Sequence, residues 1–264
     1  MHIIRTALAG AVLLAPPVAA QIDYRNLDED RPARIEDAYP IERFAFELLA
    51  PYRVERHERV WTHSVVPELS YGLAPGAHAG IKAALAVRDA PGESKFALAG
   101  LRVFALVNLH NESPALPALS LRVDATAPVG GLAGEGGGLA VKALATRSFG
   151  LLRLHANASV ALASPGQPAA AEPMPDWSLG LAVDRSLLRS STVLIAELVL
   201  LREEAGAPLS LNALVGARRQ LTPTLVLDAG IGRGLKDDAG PSFAFTLGLS
   251  HAFALKALMP RGAP

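Results

Sequence analysis

His155 and Ser159 come nearest to a nucleophile and its base in this chain. Both fall on the polar face of "LLRLHANASVAL", but four residues apart on an extended backbone they are too distant to bond directly. His63 and Ser64 are adjacent, which sends their side chains to opposite faces of a strand. No G-x-S-x-G elbow is present. A lipid hydrolase using Ser159 and His155 is therefore the third of three functional expectations, and the chain is expected not to be an enzyme. The 7 histidines are scattered without an i, i+4 pair, and there are 0 cysteines, so neither a metal site nor a disulfide is expected. The glycines of "GLAGEGGG" and "GIGRG" lack the strand-then-helix setting of a phosphate loop and read as turns or close-packed strand. No cofactor is expected.

The larger chemical inventory is electrostatic. Glu47, Arg53, Glu68, Lys82, Arg102, Arg122, Asp124, Lys142, Arg153, Glu197, Arg218 and Asp228 all occupy the polar side of alternating segments. A pore that selects one ion sign would more often carry a ladder of that sign. Both signs are interspersed here, which leaves two readings open: an open pore with a mixed lining, or a lumen filled by charges that pair with each other.

The elements that position these residues are strands. In "SFAFTLGLSHAF" the odd positions Phe243, Phe245, Leu247, Leu249, His251 and Phe253 are bulky, and the even ones are small or polar. The same period of two starts at Ile41 with "RFAFELLAPYRVE" and recurs through "WTHSVVPELSYGL", "AGIKAALAVRD", "LRVFALVNL", "ALSLRVDATAP" and on to the C-terminus. Such segments run about 9–12 residues between Gly, Pro or charged turns, the length an outer-membrane strand needs and longer than the usual 5–6 of soluble sheets. Charges avoid the middle of the apolar faces, as an exterior in contact with lipid requires. A soluble β-sandwich or lipocalin-like barrel alternates too, with its apolar face turned inward. "STVLIAELVLLREEAG" also has an amphipathic helix as a second reading.

Composition narrows the setting. "MHIIRTALAGAVLLAPPVAA" has Arg5, a short apolar core and a small-residue end, so residues 1–20 read as a signal peptide cleaved before Gln21. The absence of Cys excludes a lipoprotein anchor. Formal charge is +0, or −1 once Arg5 leaves with the leader, so a nucleic-acid footprint is absent. Mean hydropathy is +0.27, without an apolar run long enough for a membrane helix after the leader. Aromatic content is only 5%, which limits the interfacial girdles to a few residues such as Tyr52, Trp61, Tyr71, Trp177, Phe243 and Phe253.

These readings divide the chain into a leader (1–20), a charged N-terminal segment (21–40), a barrel (41–253) and a tail (254–264). The segment "QIDYRNLDEDRPARIEDAYP" lacks alternation and is either a periplasmic tail or a small plug. The fold expected is an all-β transmembrane antiparallel barrel of about 12 strands, within a range of about 10–14.

The stretches "RPARIEDAYPIERFAFELLAPY", "PELSYGL", "LATRSFGLLRLHANAS" and "QLTPTLVLDAGIGRGL" resemble a Gram-negative outer-membrane β-barrel family whose members are described as transporters or phenol-degradation pathway proteins. The resemblance runs from about Arg31 to Phe253. It implies an outer-membrane barrel that passes small molecules, and it carries no catalytic residues over. "GLSHAF" resembles the terminal signal read by the barrel assembly machinery, with Phe253 as its aromatic; "ALKALMPRGAP" following it is a departure from the usual position at the last residue. The first functional expectation is a passive channel for small, aromatic or weakly charged solutes in the outer membrane. The second is a closed-lumen structural or assembly barrel. Outer-membrane lipid, the assembly machinery and a small solute are the partners expected.

Overall fold

The computed structural model describes residues 22–163, 174–236 and 239–259. The expected leader and the last residues of the tail lie outside the described residues. Thirteen strands follow one another: β1 (Ala45–His57), β2 (Val60–Val65), β3 (Glu68–Ala74), β4 (Ala77–Ala90), β5 (Glu93–His110), β6 (Ala118–Ala127), β7 (Gly138–Phe149), β8 (Leu152–Ala163), β9 (Trp177–Leu187), β10 (Thr192–Arg202), β11 (Ser210–Thr222), β12 (Leu225–Gly234) and β13 (Phe243–Ala254). Strands β2 and β3 are two halves of one barrel strand. Both pair with β1, at Tyr52↔Val65 and Leu49↔Glu68, and both pair with β4. Pro67, which has no N–H to give a ladder, sits at the break. Each strand pairs antiparallel with its chain neighbours, and β13 closes on β1 from Ala45↔Ala254 to Arg56↔Phe243. The result is a closed barrel of twelve strands, the number read from the alternation. Closure leaves no unpaired edge, which a lipid environment demands because lipid satisfies no backbone group. The stretch with a second reading as helix is strand β10.

The direction of the apolar face separates a membrane barrel from a soluble one. Leu181 is 64% exposed, Val215 57% and Ile231 52%, whereas Arg122 and Arg218 on the opposite face are 1% and 0% exposed. Apolar residues point outward and charges inward along the strands, the reverse of a lipocalin. The protein is a transmembrane β-barrel.

Aromatic residues mark both rims. At the end that carries the termini, Phe46 packs on Tyr71 and Phe253 with ring centroids 4.5 and 5.2 Å apart, and His251 stacks on Phe253 at 6.0 Å. At the other end Trp61 meets Phe243 at 6.2 Å, Arg56 caps Trp61 and Arg202 caps Trp177. The end where β1 begins and β13 finishes has the turns Pro75-Gly76, Gly150-Leu151 and Pro223-Thr224 and the connections 111–117 and 188–191; the opposite end has the turns Glu58-Arg59 and Pro91-Gly92 and the connections 128–137, 203–209 and 235–242.

Candidate functional site

Residues 22–44 form no regular element; most of the stretch runs inside the barrel, and the exposed Glu42 and Arg43 lead out at the rim into β1. Leu27, Arg31, Ala33, Asp37 and Ala38 are buried to within 1% of completely. The segment folds back on itself. The Leu27 N–H donates to the Asp37 carboxylate at 3.1 Å, the Asp37 N–H donates to the Leu27 carbonyl at 2.9 Å, and the Tyr39 N–H returns to Asp37 at 3.0 Å.

Its acidic side chains face a basic wall. Lys82 on β4 and Arg122 on β6 each reach Glu29 at 2.9 Å, and Lys142 on β7 pairs with it as well. Glu36 pairs with Arg122 at 2.9 Å and lies 3.9 Å from Lys142. Asp37 meets Arg153 on β8 at 3.4 Å. The Arg122 guanidinium lies 3.8 Å from the centre of the Phe104 ring, a cation–π contact that fixes its plane. Burial alone would raise the Glu29 carboxyl, but Arg122, Lys142 and Lys82 outweigh it and hold it well below the usual carboxylate range.

The basic side chains of the segment face acids on the other wall. Arg31 pairs with Asp28 in its own segment and lies 3.7 Å from Glu47 and 3.9 Å from Asp228. Arg34 pairs with Glu55 at 2.9 Å, while the N–H groups of Arg34 and Ile35 donate to Glu197 at 2.8 and 3.1 Å. Arg53 binds Asp30 at 3.0 Å, and Arg218 binds Asp28 at 3.1 Å and donates to the Asn26 carbonyl. The segment is thus charge-complementary to its surroundings, which are mainly basic from β4 to β8, with Asp124 among them, and mainly acidic from β9 round to β3, with Arg53 and Arg218 among them.

Apolar contacts reinforce the fit. Leu27 and Ala33 pack with Val193, Ile195 and Leu214; Ile35 packs with Ala182, Val199 and Leu201; Ala38 packs with Leu106, Ala118 and Leu144. Glycines make room at two points. A Cβ on Gly180 would overlap Ile35, and one on Gly230 would come within 2.9 Å of Pro32. Gly230 is the first glycine of "GIGRG"; the other two lie against Leu214 and Ala239 instead.

The structure places eleven of the twelve predicted residues on the inner face and buried, with Arg102 half-buried and bonded to Thr126 at 3.3 Å. Pairs within the wall exist: Arg122–Asp124 along β6 at 2.8 Å, and across strands Arg153–Asp184 at 2.7 Å and Lys82–Glu68 at 3.2 Å. Most of the countercharge comes instead from residues 28–37. Ser159 and His155 are not brought together. Ser159 bonds Ser178 at 2.6 Å, and His155 sits between Thr146 at 3.0 Å and Asp184 at 2.8 Å. That threonine–histidine–aspartate arrangement is sealed, since His155 is 2% exposed and Thr146 also receives the Ala38 N–H at 3.0 Å. The alternation sets Glu55, Thr146 and Asp184 on the polar face of their segments, but they were not among the lining candidates, and sequence reasoning missed the apolar inward residues of β10. The available signal was β10 itself, whose two faces are both apolar around Glu197, a pattern unsuited to a water-filled lumen.

Two pockets flank the segment. One of about 350 Å³ opens at the termini, among Ile22, Asp23, Arg25, Tyr39, Glu47 and Arg153. The other, about 110 Å³, lies toward the long loops between Ile35 and strands β7 to β10. Phe253 is at neither; it ends the closing strand on the outer rim.

A closed twelve-strand barrel with an apolar exterior and a charged interior defines the class: an outer-membrane type of β-barrel. Solved structures agree. An outer membrane channel from Pseudomonas putida F1 superposes with a TM-score of 0.59 at 16% identity, covering 86% of this chain and 100% of that one. A KdgM porin in complex with disordered oligogalacturonate gives 0.54 at 10% identity over 77% and 98% of the two chains, and a NanC porin gives 0.54 at 8% over 78% and 98%. At these identities the likeness concerns the fold. No protein-family model and no curated protein sequence matches the chain.

Proposed function

We propose that this protein is an outer-membrane channel for small solutes whose lumen is closed at rest by its own N-terminal segment. The observation that carries the reading is the pairing of lumen charges with residues 28–37: Glu29 and Glu36 on the basic wall, Arg31 and Arg34 on the acidic one. An inner face built only to stabilise a solid barrel has no need of counterions from a separable segment. The fold shared with channels and porins supports the same reading. The leader 1–20 would export the chain, and the closing strand ending at Phe253 would present it to the assembly machinery. The solute class, aromatic or weakly charged, follows the sequence resemblance to transporters and phenol-degradation proteins.

The test is single-channel current in a planar bilayer for the mature chain and for a variant lacking Gln21 to Pro40. A near-silent mature chain and a conducting deletion variant are expected. If the deletion variant is also silent yet still shows the heat-modifiable migration of a folded barrel, the channel reading fails. The second reading, a structural barrel with a permanently filled lumen, then stands; the completeness of the packing around Leu27 and Ile35 is the observation in its favour.

A further inference from the structure

The pocket of about 350 Å³ at the end with the termini lies between the N-terminal segment and the barrel wall. Its apolar lining comes from Tyr39, Pro40 and Ile41 of the segment, with Ala45 of β1 and Ala252 of β13 opposite. Five charged residues line it as well: Asp23, Arg25, Glu42, Glu47 and Arg153. Both bases are already engaged. Arg25 donates to Asp23 through Nε and Nη2, at 3.1 and 2.8 Å. Arg153 donates to Asp184 at 2.7 Å, to Asp37 at 3.4 Å and to the Arg25 carbonyl. Two acids are left over. Glu42 is exposed and pairs with no cation among the described residues. Glu47 is only 6% exposed, its ion pair with Arg31 is 3.7 Å long, and its Oε1 has no hydrogen-bond partner within the protein. Arg31 is itself shared with Asp28 and Asp228. A buried carboxylate with so small a share of a cation is left with much of its desolvation cost unanswered.

We propose that this pocket binds a small organic ammonium ion, with Glu47 as its buried counterion and Glu42 as the counterion at the mouth. The lining sets the class of ligand. An ammonium group donates up to three hydrogen bonds, and each one to a carboxylate is charge-assisted. A ligand carboxylate finds no unpaired base there, since Arg25 and Arg153 are held by Asp23, Asp37 and Asp184. A metal ion is not favoured, because no three carboxylates or imidazoles converge on a point among the described residues. The apolar part of the lining takes a hydrocarbon body. Size sets its limit: an engineered cavity of about 150 Å³ holds one benzene, so about 350 Å³ takes one ring with a short side chain. The ligand is therefore a monocationic amine with a compact apolar body. This deepens the channel reading by naming a solute class and rests on it for that meaning, but it is measured as binding, without current, so each can fail alone.

The experiment is isothermal titration calorimetry on the mature chain, refolded in a non-ionic detergent at neutral pH. The probe is 2-phenylethylammonium, with 2-phenylethanol and phenylacetate as the neutral and anionic comparisons of similar shape. The expected result is saturable heat with the ammonium, and binding weaker by about tenfold or more with the other two. Glu47→Gln keeps the shape of the side chain and removes its charge, and should weaken the ammonium by about tenfold or more. Glu42→Gln, at the exposed mouth, should weaken it by less. Heat-modifiable migration shows that each variant folds. Heat that grows without saturation is partition into the micelle, and overturns the proposal. So does 2-phenylethanol binding as tightly as the ammonium, since the apolar lining alone would then hold the ring. A folded Glu47→Gln that binds the ammonium as the parent does overturns it too. If Glu47→Gln does not fold, Glu42→Gln decides, and parent-like affinity in that variant overturns the proposal.

Discussion

Replacing Glu29 by Gln removes a carboxylate that three lumen cations share. Lys82 and Arg122 approach it at 2.9 Å and Lys142 also pairs with it, on a side chain only 13% exposed. Its carboxyl is held well below the usual range by those cations against the opposing effect of burial. Deleting one member of a buried pair costs roughly 3–5 kcal/mol, because the partners remain buried without it. Here the cations retain other acids: Lys82 keeps Glu68 at 3.2 Å, and Arg122 keeps Glu36 and Asp124 at 2.9 and 2.8 Å. The low end of that range applies, about 3 kcal/mol. At about 1.4 kcal/mol per decade, the undocked fraction of the segment rises roughly a hundredfold. The assay is open probability in a planar bilayer at fixed potential. The deletion of Gln21 to Pro40 defines the fully open level. Glu29→Gln should visit that level about a hundredfold more often than the parent chain, a figure that scales with the 3 kcal/mol above. Arg25→Ala serves as the control. Its ion pair with Asp23 is 49% and 40% exposed, and its loss should change little. If Glu29→Gln is as quiet as the parent while the deletion conducts, the charges do not hold the segment. The apolar contacts of Leu27 and Ile35 then hold it, and the electrostatic account is wrong.

Three further outcomes are expected. Gly180→Val sets a branched side chain against Ile35 without changing any charge, and valine suits a strand, so it should raise open probability while leaving the ion-replacement potential of the open state unchanged; an unaltered closed fraction would show that the contact is slack. Leu181→Arg places a cation on the outer face of β9 at a position 64% exposed, and should destabilise the barrel in lipid vesicles by roughly 2–4 kcal/mol in urea titration, whereas Leu181→Ala should cost far less; equal costs would mean that this face is not in hydrocarbon. The pH dependence follows from two carboxyls of the segment: burial raises Glu36 to about 7, so the docked state takes up its proton more readily and gains stability as pH falls, while Glu29 is depressed. A depressed carboxyl contributes docking stability that is present above its ordinary value of 4.5 and lost only as pH falls through the lowered one. Acidification from pH 8 to pH 5 should therefore leave the channel closed, and opening within that window in the bilayer would contradict the ion network as drawn.

The strand array was legible residue by residue. A period of two is a local property, and "SFAFTLGLSHAF" carries it without reference to any other part of the chain. Segment length separated membrane strands from soluble ones, and the sorting of charge placed all twelve predicted residues on a common face. The orientation of that face was decided by the fold. Alternation is the same whether the apolar side points in or out, and only the exposure of Leu181, Val215 and Ile231 shows which it is.

What fills the barrel was not legible locally. Residues 21–40 have neither period nor apolar density, so on their own they read first as a solvated tail and only second as a plug. Their place depends on partners far along the chain. Glu29 meets Lys142, Arg34 and Ile35 share Glu197, and Thr246 reaches Pro32. The same holds for His155, which sequence spacing set beside Ser159 and the barrel set between Thr146 and Asp184. Alternation needs only a strand's own residues, so the sequence determined the wall of this protein by itself. Ion pairs inside a lumen need closure first, since only closure brings opposite walls and an N-terminal segment within 4 Å of one another, and that was decided by the tertiary structure alone.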